Sequence, residues 1–343
     1  MILECVPNFS EGRDLEKIKS IEDAIREVPG VLFLGSDIGR SVNRTVMTFA
    51  GPPAAVLEAA FRAVRRASEV IDMREHRGTH PRMGATDVCP LIPLQGIRAV
   101  EAVTLSRRLA QRIGRDLAVP TYLYGLAAES TDRVSLAEIR RGEYEGLAEK
   151  LTRPEFAPDF GPNRLTPNSG VTAVGVRRLM AAWNVNLKGN DQKAAAYIAR
   201  RVRGAGRRHK GRFFPGPFPG LKAIGWTIEE FGCAQVSMNV MDLEAAPLWS
   251  VYREIQKLAE ARGGGVAGSE CIGLLPRGVL LQVADAVLKH MPGGDTATPE
   301  EKVALAVERI GLNSVKPFDT KRLILEEALG LSATLPLRFS LSG

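Results

Sequence analysis

One pattern recurs along this chain. Read for hydrophobic periodicity, the first 95 or so residues give strand, helix, strand, strand, helix, strand, and from about Val171 the same order starts again. Ala182-Trp-Asn-Val-Asn-Leu echoes Val6-Pro-Asn-Phe. Asn239-Val-Met-Asp-Leu, followed by a helix around Leu248 and Trp249, echoes Thr45-Val-Met-Thr-Phe and its helix; Ile272-Gly-Leu-Leu-Pro echoes Cys89-Pro-Leu-Ile-Pro. Each echo is short, but they come in one order. The pattern predicts an α+β protein of two related βαββαβ subdomains, the split ferredoxin-like arrangement, at residues 1–170 and 171–330 with a tail at 331–343. The boundary falls in the Pro- and Gly-containing stretch Pro154 to Gly170, and a ligand cleft is expected between the halves.

The elements of the first half can be placed individually. Ile2 to Pro7 reads as a strand, and Asp14 is set to cap a helix whose Leu15, Ile18, Ile21, Ile25 and Val28 form one apolar face. Val31 to Leu34 and Thr45 to Ala50 are the next strands, joined through Asp37 to Asn43. Gly51-Pro-Pro opens a second helix. After the fourth strand, Val88 to Leu94, come a helix from about Ala99 to Leu117 and a strand at Thr121 to Tyr124. Past Leu288 lie a polar linker and a helix candidate, Pro299 to Ile310.

Chemistry is expected just before the fourth strand. His76-Arg-Gly-Thr-His80-Pro-Arg-Met-Gly-Ala-Thr-Asp-Val-Cys-Pro90 holds two of the four histidines of the chain in a loop at the mouth of an apolar run. An imidazole is suited to take and return a proton near neutral pH, although two polar loop residues would read the same way. A metal reading needs the i, i+4 histidine pair on a helix, which Gly78 and Pro81 oppose, and there is no carboxylate or Cys cluster beside it. The second half has Gly263-Gly-Gly-Val-Ala-Gly-Ser-Glu in the corresponding place, so one half is expected to be catalytic and the other to close over substrate.

Composition narrows the classes. A chain of 343 residues with 45% hydrophobic content can bury two ordinary cores. No apolar run reaches the ~18 residues needed to span a bilayer, and the N-terminus lacks secretory features, so no membrane role and a cytoplasmic home are expected. Cys5, Cys89, Cys233 and Cys271 stand singly in apolar stretches, as reduced core thiols do. The net charge of +7 favours anionic partners without naming one.

Several segments resemble the glutamate formimidoyltransferase family, which also supplies the N-terminal half of formimidoyltransferase-cyclodeaminase. They are Glu4-Cys-Val-Pro-Asn-Phe-Ser-Glu-Gly12, Asn43-Arg-Thr-Val46, His80 through Pro90, Tyr122-Leu-Tyr-Gly125, Ala157-Pro-Asp-Phe-Gly-Pro162, Ala223-Ile-Gly-Trp226 and Gln235-Val-Ser237. The resemblance runs to about Leu329. It implies transfer of a formimino group from N-formimino-L-glutamate to nitrogen-5 of tetrahydrofolate, the folate being a co-substrate, with no metal.

By the same resemblance His80 is the proton shuttle and Asp37 a catalytic carboxylate that orients the imidazole or faces the cationic formimino group. The folate segment falls on Gly161, Pro162, Asn163, Arg164, Leu165, Thr166, Pro167, Asn168, Ser169 and Gly170, a stretch that also reads as an interdomain linker. Arg44 and Arg82 are the candidates for the carboxylates of the substrate. A homodimer is expected by family analogy, and the cyclodeaminase step is expected of a separate protein.

The basic run Arg200 to Arg212 reads as a solvated, mobile loop, with a folate polyglutamate tail as the polyanion it would suit. Two rivals remain at this stage. One is formyl transfer between 5-formyltetrahydrofolate and glutamate, which the same imidazole serves. The other is an RNA-binding module, which also uses βαββαβ; it lacks support because no aromatic sheet signature is present, and no nucleic-acid partner is expected.

Overall fold

The computed structural model describes residues 1–289, 291 and 296–337. Its described residues divide into two compact units, 1–177 and 178–337. The linker past Leu288 and the tail 331–343 lie partly outside the described residues.

In the first unit, β1 (Ile2–Cys5) and β2 (Asn8–Phe9) form one interrupted line of strand. Pro7 causes the break: it has no N–H to give the ladder, and its carbonyl accepts from Met47 N instead. Helix α1 (Leu15–Arg26) is capped by Asp14, whose carboxylate accepts from Glu16 N and Lys17 N, and it buries Ile18, Ile21 and Ile25. Then come β3 (Leu32–Gly39), β4 (Arg44–Gly51), α2 (Pro53–Val70), β5 (Thr86–Gln95), α3 (Ala99–Leu117) and β6 (Thr121–Gly125). Short helices α4 (Leu136–Ile139) and α5 (Leu147–Lys150) precede β7 (Thr172–Val176).

The sheet runs β3, β4, β1 with β2, β5, β7, β6; the first junctions are antiparallel, and β7 lies parallel to both β5 and β6. Within βαββαβ the order is therefore fourth, first, third, second. Strand β7 was expected to open the second half. It completes the first sheet instead, because its apolar run Thr172–Val176 is buried between two parallel neighbours.

The two faces of this sheet differ. Leu3, Cys5, Met47, Phe49, Cys89 and Leu91 point into a core with α1, α2 and α3. On the other face, Val88, Tyr122, Tyr124 and Ala173 pack with Met83, Ile139, Leu147 and Leu151, so the α4–α5 segment covers the β5–β7–β6 side. The β3–β4 side of that face carries Asn8, Arg44 and Asp37. Val46 pairs with both Asn8 and Asp37, and Arg44 lies two residues before it, which puts all three on one side of the pleat.

The second unit repeats the order with β8 (Ala181–Leu187), α6 (Gln192–Val202), the hairpin β9 (Arg207–His209) and β10 (Arg212–Phe214), β11 (Leu221–Ile228), β12 (Cys233–Val240), α7 (Leu248–Glu260) and β13 (Val266–Ile272). Its antiparallel sheet runs β13, β8, β12, β11, again fourth, first, third, second. Helices α8 (Arg277–Leu288) and α9 (Pro299–Arg309) follow, the latter with a Thr298–Glu301 capping box. The basic run is not the expected loose loop. Its first residues end α6, and the rest form β9–β10, turned by Lys210 and Gly211 at φ +48° and +77°.

Candidate active site

The loop between α2 and β5 is built on Asn43, His76 and Arg82, all three buried. Asn43 takes a left-handed φ of +51°, accepts from Gly12 N through its side chain and donates to Arg77 O. Gly12 is required beneath it, since a Cβ there would lie 2.5 Å from Arg44 N and Gly39 O. His76 Nε2 meets Asn43 O at 2.9 Å, and its Nδ1 accepts from Arg82 Nε at 3.2 Å. That pattern defines a neutral imidazole, and burial followed by the Arg82 charge pushes its pKa down. His76 is therefore a strut of the loop.

Arg82 is fixed on its other side by Glu143 and Glu145, with NH1 and NH2 reaching Glu145 at 2.7 and 2.6 Å. It was expected as a carboxylate ligand for substrate. Its fork instead holds two carboxylates of this chain, a geometry that fixes the loop to the segment after α4.

His80 projects from this frame, half-buried. Its Nδ1 lies 2.8 Å from Pro81 O, so Nδ1 carries the hydrogen and Nε2 presents the lone pair. Burial first, then the charges of Arg44 and Arg140, push its pKa down to about 3, with Asp87 and the Pro81 carbonyl acting the other way. The free ring is thus neutral, with its Nε2 lone pair exposed to a ligand.

Behind His80 lies a buried charge cluster. Asp87 has no exposed surface; its Oδ1 accepts from Met83 N and Arg140 Nε, and its Oδ2 meets Arg140 NH2 and Arg44 NH1. Burial alone would raise its pKa, but the Arg140 and Arg44 charges hold it down to about 2. Arg44 donates twice to Asn8 Oδ1, and burial lowers its own pKa to about 10. Its NH1 pairs with the Asp87 carboxylate at 2.7 Å. Lys150 Nζ fixes Arg140 by donating to the carbonyls on either side of it, those of Ile139 and Arg141.

The segment 161–170 belongs to the first unit and docks on the His80 loop. Val171 N donates to Met83 O, Ala85 N to Ser169 O and Met73 N to Asn168 O, while Tyr144 joins Arg82 O to Pro167 O. The contact is so close that a Cβ on Gly84 would sit 2.1 Å from Val171 O. Gly170 has φ +65°, with a Cβ position 2.3 Å from Met83 O. Thr166 donates to Ala118 O, and Gly161 at φ +87° packs on Gly114. Asn163, Arg164, Pro167 and Asn168 are exposed; Pro162, Leu165 and Thr166 are half-buried.

Asp37 lies within β3, opposite Val46, and not in the connection expected for it. Sequence reasoning missed Asp87 and Arg140. Asp87 was inside the quoted His80 motif and gave a signal that could have been used; Arg140 gave none. Among the described residues no group of three or more His, Cys, Asp or Glu side chains is placed to hold a metal ion.

Comparison with known proteins agrees with this layout. The N-terminal subdomain of the formiminotransferase domain matches residues 2–177, and the formiminotransferase domain matches residues 182–330. The chain is 44% identical over 325 residues to a formimidoyltransferase-cyclodeaminase of Rattus norvegicus, covering 95% of this chain and 59% of that protein. It therefore spans about three-fifths of the length of such relatives. Against the glutamate formimidoyltransferase of Streptococcus pyogenes serotype M1 the identity is 42%, covering 84% of this chain and 93% of the relative. For that of Thermoplasma acidophilum it is 36%, with 84% and 92% covered. The two domain matches and these identities together show that the chain belongs to the formiminotransferase family.

Proposed function

We propose that this chain transfers the formimino group of N-formimino-L-glutamate to nitrogen-5 of tetrahydrofolate, releasing L-glutamate, a step of histidine degradation. The observation that carries the reading is the one-sided His80 ring, held at Nδ1 by its own loop, on the loop that also receives segment 161–170. Nitrogen-5 adds to the formimino carbon and gives its proton to His80 Nε2; the carbon–nitrogen bond to glutamate then breaks as the same proton passes to the departing nitrogen. Protons and charge balance without a further reactant. Tetrahydrofolate enters as co-substrate, and no metal takes part in the steps.

Of the two arginines, Arg44 is kept for the carboxylates of substrate because it shares the sheet face of Asp37; Arg82 is reassigned to holding the loop. Asp37 shares a sheet face with Arg44, which supports its role toward the cationic formimino group. Segment 161–170 is kept as the folate segment, with Asn163, Arg164 and Asn168 as its accessible polar side chains. The shared strand order supports the ferredoxin-like reading of both units. A cytoplasmic home and a homodimer go with this reading by family resemblance.

The test mixes purified protein, tetrahydrofolate and N-formimino-L-glutamate and follows the folate absorbance, with His80→Ala beside it. Turnover by the wild type, reduced by about 10²-fold or more in a folded variant, is the expected result. Turnover only with 5-formyltetrahydrofolate and glutamate would replace formimino by formyl transfer.

A further inference from the structure

The basic run of the second unit has no part in the chemistry above, and folding adds to it an arginine from outside the run. Arg201 in α6 and Arg262 just past α7 both lie over the Tyr197 ring, their guanidinium carbons 3.3 and 4.4 Å from its centroid. Burial first, then the charges of Arg207, Arg200 and Arg262, push the pKa of Arg201 down, with Tyr197 acting the other way. Three guanidiniums thus crowd a fourth, and among the described residues none of them pairs with a carboxylate. The hairpin β9–β10, a two-stranded sheet of its own, carries the charge outward. Arg207 and Arg212 lie over Phe214 at 4.5 and 5.7 Å. The alternate residues face the other side of the ribbon: Arg208 stands directly opposite Phe213, and both are exposed, Phe213 by 54%.

Crowded cations with no counter-charge favour a polyanion, and the exposed ring selects among polyanions. The polyglutamate tail expected for this run meets the charges alone, as inorganic polyphosphate does; neither brings a flat face to Phe213. A single-stranded nucleic acid brings both, phosphates for the guanidiniums and unpaired bases that stack on an aromatic side chain. The expectation of no nucleic-acid partner rested on the missing aromatic signature of the βαββαβ sheets, and this hairpin belongs to neither of them.

We propose that the β9–β10 hairpin, with the arginines gathered at Tyr197, is a binding surface for single-stranded nucleic acid, with Phe213 as its stacking platform and Arg208 and Arg262 among its phosphate contacts. The proposal is independent of the formimino reaction. It differs from a merely charged surface in what Phe213→Ala does: the substitution leaves every charge in place and removes only the ring.

Fluorescence anisotropy of the full chain with a labelled oligoadenylate of about 12 nucleotides tests this, with inorganic polyphosphate and oligo-L-glutamate of equal charge, and a duplex of equal length, as competitors. Phe213→Ala is expected to weaken oligoadenylate binding by about five-fold or more and to leave polyphosphate within about two-fold. Arg208→Gln and Arg262→Gln are each expected to reduce the slope of log affinity against log salt by about 0.7. Circular dichroism of the variants separates a lost contact from a lost fold. Unchanged oligoadenylate affinity in Phe213→Ala overturns the assignment, because charge alone then accounts for binding. Tighter binding of oligo-L-glutamate would give the surface to an acidic chain, and equal binding of the duplex would remove the part given to unpaired bases. Either result overturns the proposal, as does an absence of oligoadenylate binding at low salt.

Discussion

Arg82 Nε donates to His76 Nδ1 at 3.2 Å, so a permanently charged group and a titratable one share a hydrogen bond that exists only while the imidazole is neutral. Protonating His76 would set two donors against each other inside the loop that carries His80.

The pH dependence of stability follows. Burial lowers the pKa of His76 in the folded state below the unfolded value of about 6.5, so the unfolded chain binds more protons below that value. The stabilisation from neutral His76 is present above about 6.5 and is lost as pH falls toward its depressed folded value. His76→Ala is expected to destabilise by about 1–3 kcal/mol at pH 8, through unsatisfied Asn43 and Arg82 groups, and by less at pH 5. Denaturant unfolding at the two pH values measures the difference; equal losses at both would contradict the neutral-strut reading.

The buried cluster behaves in the opposite range. Asp87 is held at about 2 against about 3.8 for a free aspartate, so its contribution is full above about 4 and fades as pH falls through about 2. Asp87→Asn keeps the shape but leaves two buried guanidiniums without their counter-charge, for an expected loss of about 3–5 kcal/mol. Urea midpoints at neutral pH give this number. A loss below about 1 kcal/mol would mean that water compensates the arginines.

Arg140 acts on His80 through its charge. Removing its charge raises the His80 pKa, since Arg140 and Arg44 are the charges that depress it. Arg140→Gln is therefore expected to move the acid limb of kcat/KM to higher pH. A purely structural role would lower the whole profile without shifting that limb.

Gly84 and Gly170 meet where segment 161–170 joins the His80 loop. Gly170→Ala forces a Cβ to 2.3 Å from Met83 O at a left-handed φ, and the segment must move. An expected destabilisation of about 2–4 kcal/mol with weaker folate binding separates it from Gly189→Ala, which has open space around it and carries only the φ penalty of about 1 kcal/mol.

Much of this was legible in sequence. Helix α3 runs from Ala99 to Leu117, as its periodicity gives, because one apolar stripe and the Ala118-Val-Pro stop define both ends. His80 stood out through the family motif that runs from His80 to Pro90, since its Gly- and Pro-rich loop reads equally as two polar residues and His76 in it is a strut. Asp87 and Arg140 did not, because their meaning lies in a pairing across 53 positions, and Arg140 sits among arginines that look alike on paper. Arg82 misled for the same reason: its partners, Glu143 and Glu145, are 61 and 63 residues away. The β9–β10 hairpin was hidden by its charge. Lys210-Gly211 makes the two-residue turn without the usual Asn, and Arg207 stacks on Phe214 at 4.5 Å, so a run read as solvated is partly held by its own aromatic ring.

The bond from His80 Nδ1 to Pro81 O leaves the imidazole a single doorway. Whatever hydrogen enters at Nε2 has to leave by Nε2, so under the proposed reaction the atom that takes a proton from the folate nitrogen is the one that gives a proton to glutamate. In such an enzyme one nitrogen serves both substrates, so the folate nitrogen and the departing glutamate nitrogen have to be presented to the same point in turn.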